Sequence, residues 1–110
     1  MSQRILLTGA SGFVGAAVMQ CLLDRGHQVV AALRQVPQTL DPRAEVFHFA
    51  QLDGETPWQA GLAGVHTVIH SAARVHVMND TEADPLTAFR RVNVDATLNL
   101  ARQAVAAGVR

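Results

Sequence analysis

Apolar positions along the chain fall into short blocks whose spacing changes from one block to the next. Arg4 to Thr8 is a tight apolar run, the pattern of a strand covered on both faces. From Gly12 to Arg25 the period lengthens. Val14, Ala17, Val18, Cys21 and Leu22 recur at i, i+3, i+4, i+7 and i+8, which predicts a helix with that face inward. Gly26 ends it in the manner of a left-handed cap. His27 to Leu33 is again continuously apolar and reads as a second buried strand. Gln35 to Arg43 carries two prolines and no period, so it reads as a loop.

Ala44 to Ala50 alternates like a third strand, Trp58 to Leu62 suits a short helix, and His66 to Ala73 gives a fourth strand. Arg74 to Ala83 is polar and irregular. Asp84 as N-cap and Pro85 at the first helical position then open a long helix running to about Ala107, where Gly108 stops it. The resulting order, β-α-β-β-α-β-α with short connections, implies a parallel sheet with helices on both faces. The long helix is apolar on two sides. Phe89, Val92, Ala96 and Leu100 form one stripe, and Val94, Leu98, Ala101 and Val105 another. Burial on both sides is expected, the second side against other parts of the protein or against a second copy in a homodimer formed through residues 85–107.

Composition narrows the function. The chain has 110 residues, 49% of them hydrophobic, with a formal net charge of zero. That suits one small domain and supplies no basic excess for nucleic acid or an acidic membrane surface. Every basic residue is arginine, and lysine and tyrosine are absent. One cysteine, Cys21, cannot form an internal disulfide, and its helical spacing predicts a core position. A reducing, cytoplasmic setting fits, and neither a signal peptide nor a membrane span is indicated.

The most specific chemistry lies where the first strand meets the first helix, at Thr8-Gly9-Ala10-Ser11-Gly12-Phe13-Val14-Gly15. Gly9 permits a sharp exit from the strand, Gly12 lets a pyrophosphate approach the backbone, and Gly15 lets the helix lie close to the sheet. The first helical turn offers unpaired N–H groups and a partial positive charge. A glycine triplet alone also fits an ordinary turn; the strand before it and the helix after it supply the context that a dinucleotide cradle requires.

Together with the strand His66 to Ala73 and the segment Arg91-Val92-Asn93-Val94-Asp95-Ala96-Thr97-Leu98-Asn99-Leu100, this run resembles the extended short-chain dehydrogenases/reductases. The likeness is to their nucleotide-sugar epimerase/dehydratase branch, and the stretch His70 to Met78 looks most like UDP-glucose 4-epimerases or related 4-ketoreductases. It implies a Rossmann-like sheet of about four strands, with residues 1–110 as the amino-terminal part of an NAD(P)-binding domain, ending before the fifth strand. It also implies site roles. Gly9, Gly12 and Gly15 would hold the pyrophosphate with the Ser11 hydroxyl and the Phe13 and Val14 backbone. Ser71, Ala72 and Ala73 would line the cofactor, and Asn93 would fix nearby backbone.

Two positions depart from the family pattern. Where many relatives carry an acid after the second strand, this chain has Leu33-Arg34. An arginine cannot accept from a ribose hydroxyl but can pair with a 2′-phosphate, which tilts the cofactor from NAD toward NADP. Where relatives have an acid and an apolar residue near the adenine, Gln51-Leu52 stands here, with Asp53 one step on. The family's tyrosine four residues before a lysine is missing. No catalytic residue is therefore expected in this chain, which should be inactive alone, and no metal site. An open sheet edge beside the fourth strand predicts a chain less stable than its parent, self-associating, or held together by partner contacts. Alternatives are a 4-ketoreductase or dehydratase, or a non-catalytic NAD(P) sensor on the same fold. His66 and His70 read as edge and packing residues. His76 and Arg74 are candidates to meet substrate, Asp80, Glu82 and Asp84 read as a short acidic patch, and Arg90-Arg91 is too small a basic cluster for nucleic acid.

Overall fold

A computed structural model of the chain describes residues 2–38, 40–72 and 85–109. Its elements follow the order β1 (Arg4–Thr8), α1 (Phe13–Asp24), β2 (Gln28–Leu33), β3 (Glu45–His48), α2 (Gln59–Leu62), β4 (Thr67–His70), α3 (Pro85–Arg90), a π turn (Arg91–Asp95) and α4 (Ala96–Ala106). The strands form one sheet in the order β3-β2-β1-β4. All three pairings are parallel, with Leu6 opposite Val30 and Val68, and Ala31 opposite Val46. This is the expected Rossmann-like parallel sheet.

Strand parity divides the core between the two faces, because successive side chains point to opposite sides. Leu6, Val30 and Ala32 join Phe49, Trp58, Leu62, Val65, Leu100 and Ala104 on the face covered by α2 and α4. Leu7, Val29, Ala31 and Leu33 join Ala10, Met19 and Leu23 on the face covered by α1. The continuous apolar runs of β1 and β2 follow directly: a strand covered on both faces has no polar side to show.

The two sides are held differently at their margins. On the α4 side, Trp58 is fully buried, its ring 5.6 Å from Phe47 and 5.4 Å from Phe49 between centroids. Asn99 and Gln103, one helical turn apart, both donate to the Thr56 carbonyl at 2.9 and 2.8 Å, and the Trp58 backbone N–H donates to Gln103 at 2.8 Å. On the α1 side, the Arg43 guanidinium reaches both Asp41 and Asp24, tying the loop after β2 to the end of α1.

Several expectations are corrected. The buried residues of α1 are Gly15, Met19 and Leu23, with Val18 and Leu22 flanking them, whereas Val14, Ala17 and Cys21 are exposed. The cause is Gly15. It faces the backbone of Gly9 so closely that it fixes the helix rotation, and the buried row then follows at i+4 and i+8. Cys21 is thus a surface thiol rather than a core residue. Strands β3 and β4 are shorter than expected, and β4 is half-buried throughout because it is an edge of the sheet. The long helix is not uniform: Arg91–Asp95 widens into a π turn. Its first stripe is buried at Ala96 and Leu100, while the second leaves Val94, Leu98 and Val105 exposed; the side chains of Phe89 and Val92 lie outside the described residues. Gly26 and Gly108 take the positive φ expected of helix-ending glycines, at 85° and 84°.

Candidate dinucleotide site

Between β1 and α1 the chain makes one sharp turn. Gly9 sits at φ 71°, and the Gly12 N–H donates to the Gly9 carbonyl at 3.0 Å. A Cβ on Gly15 would stand 1.8 Å from the Gly9 carbonyl oxygen, and one on Gly9 would stand 2.7 Å from the Ser71 hydroxyl and 2.8 Å from the Ala72 nitrogen. Both distances forbid any side chain. A Cβ at Gly12 would come within 3.3 Å of the Gly9 carbonyl. The helix, the turn and the end of β4 therefore converge closer than any other residue type permits.

The cradle so formed is open. Gly12 is the N-cap of α1, no side chain caps that end, and no acidic residue occupies the first turn. Ser11, Phe13 and Val14 are exposed, Phe13 to 97%. A helix N-terminus with uncapped amides beside a backbone that approaches without Cβ atoms fits a phosphate-bearing group. The position agrees: the sheet order reverses at β1, so the crevice beyond the carboxyl ends of β1 and β4 is the switch point where open parallel sheets take ligands.

Behind the crevice lies a polar chain that sequence reasoning missed. The backbone N–H groups of Ser71 and Ala72 donate to the Thr8 hydroxyl at 3.0 and 3.1 Å, and the Ser71 hydroxyl donates to the Thr8 carbonyl. The same Thr8 hydroxyl meets His70 Nδ1 at 2.7 Å. His70 Nε2 meets the Thr97 hydroxyl at 3.0 Å, and that hydroxyl donates to the Asn93 carbonyl at 3.1 Å. Burial lowers the His70 pKa from its ordinary 6.5, which favours the neutral ring. His70 does occupy the edge strand, as expected, but it bridges β1 to the long helix rather than simply packing. Its only sequence signal was a histidine inside an otherwise apolar strand, next to the Ser71-Ala72 segment.

Other predicted residues sit apart from the cradle or beyond what is described. Arg34 is exposed just after β2 and makes no ion pair among the described residues. The exposed Gln51 accepts the Thr56 hydroxyl at its carbonyl, 2.6 Å away, and Leu52 packs on the α4-side core. Asp53 is committed to its own turn, its carboxylate accepting the Glu55 N–H at 2.8 Å. Asn93 is half-buried within the π turn. Ala73, Arg74, His76, Asp80, Glu82 and Asp84 lie outside the described residues. A groove of about 600 Å³ beside β3, lined by Phe47, Phe49, Gln51, Glu55, Pro57 and neighbours, contains none of the glycine loop. No group of three or more metal-ligating side chains occurs among the described residues, and no helix among them is long and apolar enough to cross a membrane.

A parallel sheet reversing at β1, with a side-chain-free turn feeding an uncapped helix, defines a Rossmann-type nucleotide-binding unit. Residues 5–110 match the model of the NAD dependent epimerase/dehydratase family, and the chain belongs to that family. It is 39% identical over 111 residues to a UDP-glucose 4-epimerase of Vibrio cholerae, a match covering 100% of this chain and 33% of that protein. A 3-beta-hydroxysteroid dehydrogenase of Mycolicibacterium neoaurum is 38% identical over 111 residues, covering 96% of this chain and 30% of the relative. Among solved structures, MoeE5 in complex with UDP-glucuronic acid and NAD superposes with a TM-score of 0.76 at 29% identity, covering 97% of this chain and 34% of that one. The chain spans about a third of the length of the curated relatives it matches.

Proposed function

We propose that residues 1–110 are the amino-terminal, cofactor-holding part of an NAD(P)-dependent nucleotide-sugar epimerase of the UDP-glucose 4-epimerase kind. The observation that carries this reading is the uncapped N-terminus of α1, held against the strand-end turn by a Gly15–Gly9 backbone contact that admits no side chain. In it, Gly9, Gly12 and Gly15, the Ser11 hydroxyl and the amides of Phe13 and Val14 hold the pyrophosphate. Ser71 and Ala72 line the crevice wall, the family resemblance alone assigns Ala73 the same role, Asn93 fixes backbone beside it, and Gln51 with Leu52 faces the adenine. Bound there, the nicotinamide supplies a hydride acceptor and donor for the sugar C4 carbon. With no tyrosine and no lysine, this chain contributes binding and orientation and no proton-transferring pair.

NAD is the cofactor that the family description and the MoeE5 complex support. Arg34, exposed just after β2 and without an ion pair among the described residues, gives NADP a second route through its 2′-phosphate. The steroid dehydrogenase relative favours a second reading, a dehydrogenase acting on a non-sugar hydroxyl with the same cofactor cradle. Calorimetric titration of the chain with NAD and NADP tests the shared core of both. Binding of at least one dinucleotide is expected, together with its loss in Gly15→Ala and a selective loss of NADP affinity in Arg34→Ala. A folded chain that takes up neither cofactor would overturn the reading. Assaying the protein for inversion at C4 of UDP-glucose against oxidation of a 3β-hydroxysteroid separates the two substrates.

A further inference from the structure

Proton bookkeeping along the polar chain leaves one arrangement. A hydroxyl carries one proton and two acceptor sites. The Thr8 hydroxyl accepts from both the Ser71 and the Ala72 N–H, so its own proton must go to His70 Nδ1. His70 is then neutral with its hydrogen on Nε2, which donates to the Thr97 hydroxyl, whose proton goes in turn to the Asn93 carbonyl. Every donor finds an acceptor. A protonated His70 would place a second hydrogen against a Thr8 oxygen that is already saturated.

We propose that His70 and Thr97 are positioning residues, links in a relay of fixed proton order that couples the crevice wall beside Gly9 to the π turn of the long helix. Its two ends give it this role. At one end, the Thr8 hydroxyl holds the backbone of Ser71 and Ala72 where a Cβ on Gly9 would clash with both residues. At the other, Thr97 bonds to the carbonyl four residues back, a contact that bends helices, here within a π turn of the sort found at functional sites. Among the described residues, the groups facing the ring from β1 and from the helix are the Thr8 and Thr97 hydroxyls, and burial lowers its pKa. The relay is built from this chain's own side chains and backbone. Its consequence for cofactor affinity rests on the dinucleotide reading given above.

Long-range ¹H–¹⁵N spectra of the histidine rings, with NAD titrations, test both parts. His70 is expected to show Nε2–H with an unprotonated, hydrogen-bonded Nδ1. Thr97→Val, which keeps the shape and removes the hydroxyl, is expected to shift the amide resonances of Gly9, Ser71 and Ala72. It should also weaken NAD by about five- to tenfold, the effect of one or two lost hydrogen bonds. Thr97→Ser should restore both. An Nδ1–H tautomer at His70, or a folded Thr97→Val chain with unmoved resonances at 9, 71 and 72, would overturn the relay. Failure of the wild-type chain to bind NAD, with the tautomer and the shifts as expected, would overturn the dinucleotide reading and leave the relay standing.

Discussion

The two edges of the sheet are held by different physics. At β3 the attachment is mainly apolar: Phe47 lies against the Trp58 ring and so close to Gly61 that a Cβ there would fall 2.7 Å from it. Val46 and His48 face solvent, and the exposed Glu45 pairs with the Arg4 guanidinium at the start of the strand. At β4 all four residues are half-buried; Val68 and Ile69 pack against the two core clusters, and side-chain hydrogen bonds are added to that packing. His66 accepts the Arg4 N–H at its ring and donates its own N–H to the Arg4 carbonyl, Thr67 donates to Gln3, and His70 bridges Thr8 and Thr97. Apolar contact contributes free energy over a broad range of positions, whereas a hydrogen bond is satisfied at one distance and one angle. The edge that needs only stability is packed with rings. The edge that borders the proposed cofactor crevice adds side-chain donors and acceptors to its apolar contacts.

Removing the ring at the first edge should have the largest effect on stability. Trp58→Ala is expected to lose about 3–5 kcal/mol, read by chemical denaturation, because a fully buried side chain between Phe47 and Phe49 leaves a cavity. Any fraction still folded should bind NAD with little change, since nothing at the glycine loop touches that cluster. A parallel collapse of affinity in the folded fraction would erase the distinction between the edges.

At the second edge, Thr8→Val should lose about 1–3 kcal/mol, since it strands the Ser71 and Ala72 amides and His70 Nδ1. Unlike the tryptophan variant, it should weaken NAD in the folded protein, measured by calorimetry at a temperature where both chains are folded.

Acidity sharpens the contrast further at smaller amplitude. Burial holds the His70 pKa below 6.5, so the unfolded chain takes up that proton first. The ring's contribution is therefore complete above about pH 6.5 and declines as pH falls below it, levelling off once the folded ring protonates. Arg43 lowers the Asp41 pKa from 3.8 and Arg4 lowers that of Glu45 from 4.5, so losses from those carboxylates belong to more acid solution. Melting between pH 5 and 8 should show the decline in the wild-type chain and a flatter profile in His70→Asn; identical profiles would remove His70 as its source.

What the sequence carried locally came through. Strands β1 and β2, the glycine turn and the helix-ending glycines each depend on near neighbours, and the pattern of those neighbours suffices to place them. The inward face of α1 was misread because Gly15, without a side chain, gives no hydrophobic signal although it sets the helix rotation. Cys21 followed that error to the wrong face. The π turn left no mark in the periodicity of residues 91–95. The chain from Thr8 through His70 to Thr97 joins positions 62 and 27 residues apart, and a histidine among apolar neighbours looks the same whether it packs or bridges. Of the site, the cradle was legible and its backing was not.

The shared hydroxyl of Thr8 also constrains how this sequence can drift. Since that one oxygen serves two amides and an imidazole at once, serine is the replacement at 8 that keeps every partner satisfied, and changes at 8 or 70 that remove the hydroxyl or the ring leave a partner unmet. Alternatives such as an amide-bearing pair must arrive together. These positions should consequently show strong epistasis, each such substitution harmful on its own background and tolerable only on the other's.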